Sequence, residues 1–320
     1  MSICIAGLKI SFLSNTEFYS IVKDTTRHYK TFRLRKRSGG YRCIQAPNIG
    51  LSILQKMILE HILYANYMPP KNCTGFIRNK NITDNVRPHL NNPYVFKTDI
   101  KDFFSSIKEH LVKQLFLDLG FDNQTSKVLS RICCLYGVLP QGAATSPMIS
   151  NMIFLDLDKA IQHYCSGRNY ICTRYADDIT ISSNEMIDKS ICDDIDNILK
   201  IHNLTINKKK THLYGPGAKK IITGISIASG QMKIPRMYKR QLRYEINALK
   251  TKKYNFDEGM LLSLNGKLCY CRQIEPDSKF VNRALKLVKV ELVRLKRQNK
   301  VEQDTLSKWR GSSPKIGGVW

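Results

Sequence analysis

The sequence predicts an α+β chain in which an antiparallel sheet carries an acidic hairpin and a set of basic helices follows. Three observations predict it. Strand-like and helix-like patterns alternate as far as residue 234, and beyond Pro235 the pattern is wholly helical and rich in Lys and Arg. Within the first of these regions, Tyr175-Ala176-Asp177-Asp178 separates two short runs of alternating β-formers: Ile171, Thr173 and Tyr175 before, Ile179 and Ile181 after. That is strand periodicity on both sides of a tight reversal.

Each element has its own signal. Residues 1–30 read as a short helical lead-in. Residues 32–37 and 41–47 read as two strands joined by a basic turn containing Gly39 and Gly40. Leu51, Leu54, Met57, Ile58 and Ile62 repeat at helical spacing over 51–66. Residues 94–100 form a strand. Helices over 108–119 and 124–136 each stop at a glycine, Gly120 and Gly137. Ser146-Pro147 opens a further helix, with Ser as cap and Pro in the first turn, that runs to Tyr164. After the acidic hairpin come a helix through Ile187, Ile191, Ile195, Ile198 and Leu199, then strands over 204–207, 211–214, 221–228 and 231–234. Helices over 236–252, 257–272 and 277–299 follow. The Gly-, Ser- and Lys-containing stretch 303–320 reads as a tail.

Composition narrows the function. The 320 residues are enough for a substantial core. Lys and Arg number 51 against 26 Asp and Glu, a net charge of +25. Such an excess points to a polyanionic partner, nucleic acid first. No apolar run reaches the ~18 residues of a membrane span, and the first ten residues lack the pattern of a signal peptide. Ten cysteines contain no C-x-x-C pair, and the seven histidines have no metal-ligand spacing. Small buried hydrophobes in a reducing cytoplasm are the expectation for the cysteines.

The acids carry the chemistry. Neighbouring residues of a straight strand point to opposite faces, so Asp177 and Asp178 converge only at a bend. A strand bringing Asp99 alongside would complete three carboxylates. Hard oxygen donors of this kind suit Mg²⁺ and leave room for water and phosphate. Two such ions ~3.5–4 Å apart are recurrent machinery for in-line attack on phosphate. An Asp-Asp pair in a solvated turn is the plain alternative. The flanking β-branched residues argue against it, because buried unpaired acids are costly.

These motifs, in this order, resemble a reverse transcriptase, and more narrowly a bacterial retron-type enzyme, over residues 31–275. The resemblance implies a right-hand polymerase of fingers, palm and thumb, with an antiparallel palm sheet bearing the acidic hairpin and a helical thumb. It divides the chain into the lead-in (1–30), fingers and palm (31–234, the fingers discontinuous), basic thumb (235–302) and tail (303–320). It places Asp99, Asp177 and Asp178 as catalytic metal ligands for two Mg²⁺ ions, with dNTPs as substrates. Phe104 falls at the bulky ring beneath the sugar, which would exclude a ribose 2′-hydroxyl; Phe103 beside it is the competing choice. Leu139 to Pro147 resembles the Leu-Pro-Gln-Gly…Ser-Pro loop, which sets Gln141 and Gly142 beside the incoming base. Arg42 matches the fingers arginine on the triphosphate, with Lys36 as a second contact. Lys210, in a run with Lys208 and Lys209, falls near the leaving pyrophosphate.

Two elements point to the retron branch. Asn85-Val86-Arg87-Pro88-His89 resembles its Asn-Ala-x-x-His element, with Val86 in place of Ala. Ile222-Thr223-Gly224 resembles its Val-Thr-Gly element, with Ile in place of Val. They imply that Asn85, His89, Thr223 and Gly224 recognise a cognate structured noncoding RNA. In that family the RNA is both template and, through an internal guanosine 2′-hydroxyl, primer, and the product is branched multicopy single-stranded DNA (msDNA). The resemblance further implies a cytoplasmic enzyme in an antiphage unit with a separate effector protein. Basic residues after Pro235, such as Lys239, Arg240, Arg243 and Lys250, then read as a salt-dependent grip on phosphate. The alternatives are another prokaryotic reverse transcriptase, serving a group II intron or a diversity-generating element, and a non-catalytic RNA-binding scaffold.

Overall fold

A computed structural model describes residues 3–36, 39–253 and 255–311. Arg37 and Ser38, at the tip of the expected basic turn, and 312–320 of the expected tail lie outside the described residues. The chain divides into two units, Met1–Thr223 and Gly224–Trp320. The boundary falls ahead of the 234/235 division read from the sequence.

The first unit opens on a hairpin where a helix was expected. Strands β1 (Ile3–Ile5) and β2 (Leu8–Ile10) pair antiparallel. Ala6 and Gly7 between them both take positive φ, 52° and 76°, so the chain reverses before it can coil. Helix α1 (Asn15–Lys23) follows behind a capping box of Ser14 and Glu17. Strands β3 (Tyr29–Arg35) and β4 (Tyr41–Pro47) pair along their whole length and are largely exposed. Helix α2 (Ile49–Ile58), capped by Asn48, continues through a π turn and a 3₁₀ turn to Asn66, burying Leu51, Leu54 and Ile58. Next come α3 (Ile82–Val86), β5 (Tyr94–Asp99), α4 (Phe103–Ser106), α5 (Glu109–Asp118) and α6 (Asn123–Cys133).

The helix expected over 146–164 is two helices, α7 (Ser146–Ile153) and α8 (Leu155–Ser166). The break is at Phe154, whose buried ring packs 5.4 Å from Phe103. Strands β6 (Ile171–Tyr175) and β7 (Asp178–Ser183) make the acidic hairpin, and α9 (Ile191–Ile201) follows. β8 (His212–Tyr214) completes an antiparallel sheet of order β6-β7-β5-β8. The strand expected over 204–207 reduces to one bridge, Ile206 with Ile100, because the Ile206 amide donates to Asp196 and the chain then coils through Lys208–Lys210. β9 (Lys220–Ile222) ends the unit. The strand expected over 221–228 is interrupted by Thr223 (φ 44°) and Gly224 (φ 85°).

One face of the sheet covers the core. Phe96, Cys172, Ile179 and Ile181 belong to the same buried cluster as Ile149, Leu157 and Ile161 of α7 and α8 and Ile195 of α9. The other face presents its polar side chains, and those at the bend end form the site.

The second unit pairs β10 (Ile225–Ala228) with β11 (Gln231–Lys233), then adds helices α10 (Arg236–Lys250), α11 (Glu258–Ile274) and α12 (Lys279–Gly311). Leu242, Ile246, Leu264, Leu268, Val281 and Val288 fill its core. Glu275 accepts from the Ile234 amide at 2.9 Å and from Lys239 Nζ at 2.8 Å. Helix α12 outruns its expected end at 299, since no glycine or proline interrupts it before Gly311. Among the described residues no helix is long and apolar enough to cross a membrane.

Candidate active site

The register of the sheet builds the site. Asp99 ends β5 and stands directly opposite Asp178, the first residue of β7. Residues facing each other across an antiparallel pair share a face, so these two carboxylates rise side by side. Tyr175 and Asp178 close a reversal of only two residues, Ala176 and Asp177. Ala176 has φ 58°, a left-handed value that is uncommon outside glycine. The reversal brings Asp177 round to the same end: its carbonyl accepts from the Ile100 amide at 2.8 Å. Burial first, then the charges of Asp99 and Asp178, push the Asp177 carboxyl up to about 6. Burial also raises Asp178, against the pull of Lys97.

Lysines balance part of this charge. Lys210 Nζ donates to Asp99 Oδ2 at 2.7 Å, and Lys97 Nζ lies 3.8 Å from Asp178 Oδ1. Burial works to lower Lys210, but its hydrogen bond and charge interaction with Asp99 outweigh that and raise it. Asn207 adds a backbone amide to the Asp99 carbonyl at 2.7 Å.

Three acids caging an ion were expected, and the arrangement is looser. Among the described residues no group of three or more His, Cys, Asp and Glu is placed to hold a metal. Asp99 and Asp177 are within hydrogen-bonding reach, while Asp178 leans to Lys97 and Asp99 to Lys210. The donor chemistry still fits a hard divalent cation. Burial and the neighbouring charges of Asp99 and Asp178 raise the Asp177 carboxyl, and a cation would offset both. Asp99 and Asp177 would hold it, joined by Asp178 once that side chain turns from Lys97.

A cleft of about 540 Å³ is lined by Asp99 and Asp177, with Asp178 outside its lining. It brings together Lys36, Arg42, Asp99, Phe104, Gln141, Asp177 and Lys210 from the expected set. Phe103 is the buried core ring of its pair and Phe104 the half-exposed one, and both line the cleft. Of the three adjacent lysines, Lys210 is the one at the cleft. Gly142 is exposed, lies outside the lining and packs against β4. Its φ is 142°, and a Cβ there would stand 2.4 Å from the Gln45 carbonyl oxygen. The Gln45 amide donates to the Gln141 carbonyl at 2.9 Å, and the Gln141 amide to Gln45 Oε1 at 3.2 Å.

The four residues expected at RNA lie outside the lining of the cleft. Asn85 and His89 have no solvent exposure, which corrects the expectation of direct RNA contact. His89 bridges Ser182 at 2.6 Å and Thr173 at 2.8 Å. Asn85 accepts from Thr74 at 2.7 Å and donates to Thr223 at 3.3 Å. Thr223 is half-buried and Gly224 exposed. The motif braces the hairpin strands and the Thr223 turn from within.

Sequence reasoning missed several residues. Lys97 was available from alternation, two residues before Asp99 and therefore on its face. Gln45 and Asn207 act largely through backbone groups and left no signal. Phe76 carries φ 61° and sets its ring 6.4 Å from Phe104 and 6.3 Å from Tyr175, at the cleft wall.

Comparison with known proteins agrees with this geometry. The reverse transcriptase (RNA-dependent DNA polymerase) family matches residues 34–254. Curated relatives include the retron Ec86 reverse transcriptase of Escherichia coli, 35% identical over 64% of this chain and 64% of its own length. The retron Mx65 and Mx162 reverse transcriptases of Myxococcus xanthus are 27% and 28% identical over 80% and 84% of this chain, and 63% and 62% of theirs. The chain thus spans somewhat under two thirds of the length of each of these relatives. Among solved structures, apo telomerase from Candida tropicalis overlaps at 10% identity over 89% of this chain and 60% of that one, with a TM-score of 0.47. An antiparallel sheet that carries the acidic hairpin on one edge and pairs it through β7 with the Asp99 strand, a two-stranded basic ribbon against the Gln141 loop and a family match over most of the length place this chain in the reverse transcriptase family.

Proposed function

We propose that the chain is an RNA-directed DNA polymerase of retron type, extending DNA on its own noncoding RNA. The observation that carries this reading is the register that sets Asp99 opposite Asp178, with Asp99 and Asp177 in the lining of the cleft. Two Mg²⁺ ions bound there would activate the primer hydroxyl and neutralise the triphosphate and leaving group. The chain's own residues supply the rest. Arg42 and Lys36, exposed on the β3–β4 ribbon, are placed to take the triphosphate. Phe104 closes the sugar side against a 2′-hydroxyl, and Gln141 offers donor and acceptor to the base. Lys210 is a cation already bonded to Asp99 and is suited to shift onto the departing pyrophosphate.

In this reading the β3–β4 ribbon belongs to the fingers, the four-stranded sheet to the palm, and helices α10 to α12 to the thumb. The retron names of the relatives support the finer assignment: priming from an internal guanosine 2′-hydroxyl, a branched msDNA product, a cytoplasmic setting, and a separate effector in antiphage defence. The Asn85–His89 element acts on RNA indirectly, by fixing the Thr223-Gly224 turn that reaches solvent.

The test is expression of the full chain with the transcript encoded beside its gene. A small multicopy DNA whose mobility shifts on RNase treatment is the expected product. Polymerisation on added primers without such a product would reassign the chain to another branch of prokaryotic reverse transcriptases.

A further inference from the structure

The acidic reversal stands on a buried ion pair whose existence stability alone does not explain. Arg174 ends the core-facing row of β6 and is 1% exposed; Asp158 of α8 is 0% exposed. Arg174 Nε donates to Asp158 Oδ1 at 2.5 Å and its terminal nitrogen to Oδ2 at 2.6 Å, a two-point fork. The other terminal nitrogen donates to the Ala176 carbonyl at 3.0 Å. Replacing such a buried pair by apolar side chains commonly leaves stability unchanged, because desolvation cancels the attraction. The third bond is where the pair does something an apolar pair could not.

Ala176 is the residue with φ 58° between Tyr175 and Asp177. A left-handed conformation outside glycine persists where surroundings over-determine it. Here they do so from two sides. Thr74 and Gly75 amides donate to the Arg174 carbonyl at 2.9 and 3.4 Å. Gly75 lies so near that a Cβ on it would stand 2.5 Å from the Ala176 nitrogen. The strand edge confines one side of the reversal and the guanidinium holds its carbonyl from the core.

We propose that Arg174 and Asp158 are positioning residues: locked by Asp158, the Arg174 guanidinium fixes the Ala176 peptide and thereby the placement of Asp177 and Asp178. The proposal rests on the reading of those acids as catalytic. Arg174 and Asp158 are both buried and outside the lining of the cleft. Loss of the clamp therefore moves kcat while leaving nucleic-acid binding intact, and a shift of the order of 1 Å at a catalytic group costs about 100-fold.

The experiment uses the full chain with a poly(rA) template, an oligo(dT) primer and dTTP. The double variant Arg174→Met with Asp158→Leu is expected to melt within about 3 °C of wild type. It should bind template–primer with unchanged Kd and lose kcat by about 100-fold. A double variant that keeps kcat within about threefold would overturn the proposal, since that is a difference too small for a displaced acid. Should that variant fail to fold, Arg174→Lys carries the test, because one ammonium cannot serve both Asp158 and the Ala176 carbonyl. Its kcat should fall, and Ala176→Gly in the same chain should recover most of the loss, glycine taking positive φ without strain. Absence of recovery would equally overturn the clamp. Asp177→Asn separates the two levels. If it polymerises normally, the catalytic reading fails; if it is inactive while the double variant is not, the clamp alone fails.

Discussion

Two polar clusters occupy the same face of the same strands and have opposite character. At the bend end, Asp99, Asp177 and Asp178 crowd one another under an open cleft, with Lys97 and Lys210 balancing them in part. At the far end, His89, Thr173, Ser182 and Asn92 are buried and bonded to one another: His89 joins Ser182 and Thr173, and Asn92 donates to Ser182 at 2.7 Å. The closed cluster exchanges water for protein hydrogen bonds and holds the strands together. The open one keeps a charge imbalance that a bound cation would relieve. Uncompensated charge next to solvent is the mark of chemistry, and complete pairing the mark of scaffold.

The closed cluster is the first place to break this contrast. His89→Ala strips a partner from Ser182 and Thr173 and leaves a void, so unfolding free energy should fall by about 3 kcal/mol. The dNTP KM of the surviving folded enzyme should be unchanged, as measured by denaturant titration alongside primer extension. A fall in catalysis without a fall in stability would mean the cluster belongs to the site.

On the open side, Phe104→Ala should lower discrimination between dTTP and UTP in primer extension by about 100-fold, as removal of a steric wall allows. An unchanged ratio would return Phe104 to the core beside Phe103. Phe76 gives the sharper form, because its ring backs Phe104 at 6.4 Å.

Acid pH separates the clusters again. Burial pushes His89 down to about 3. Its ordinary value in the unfolded chain is about 6.5. Above pH 6.5 neither state binds a proton and the contribution of His89 to stability is complete. As pH falls from 6.5 towards 3, the unfolded chain takes up a proton that the folded chain refuses, so stability drops by about 1.4 kcal/mol per pH unit. Comparison of His89→Gln with wild type should remove that component of the slope; identical slopes would refute it.

The smallest effect expected is at the ribbon. Arg42→Ala removes one exposed phosphate contact and should raise the dNTP KM by about tenfold with kcat nearly unchanged, about 1.4 kcal/mol of uniform binding. A kcat-only loss would place Arg42 in the chemical step.

How much of this was legible in the sequence follows the same division. The acids, Phe104, Gln141, Arg42 and Lys210 stand in short motifs whose chemistry depends on residue type, and the cleft gathers all of them but Asp178. The palm strands were legible because period-two alternation survives in β5, β6 and β7. Asn85 and His89 misled because a motif records that a polar residue is needed and not whether it faces water; burial is decided by the turn after α3 and by β6, bonded through His89 and Thr173 although these lie 84 residues apart in sequence. Arg174 and Asp158 were silent for the same reason, since a lone Arg in a strand and a lone Asp in a helix read as surface charges. The lead-in hairpin was lost to Ala6, a residue that gives no sign of positive φ.

The most direct measurement is primer extension by Asp99→Asn, Asp177→Asn and Asp178→Asn, each as the full chain on poly(rA)–oligo(dT) with dTTP and Mg²⁺, beside thermal melting of the same preparations. The account predicts three folded proteins with no detectable extension. Extension at the wild-type rate by any one of them would contradict it.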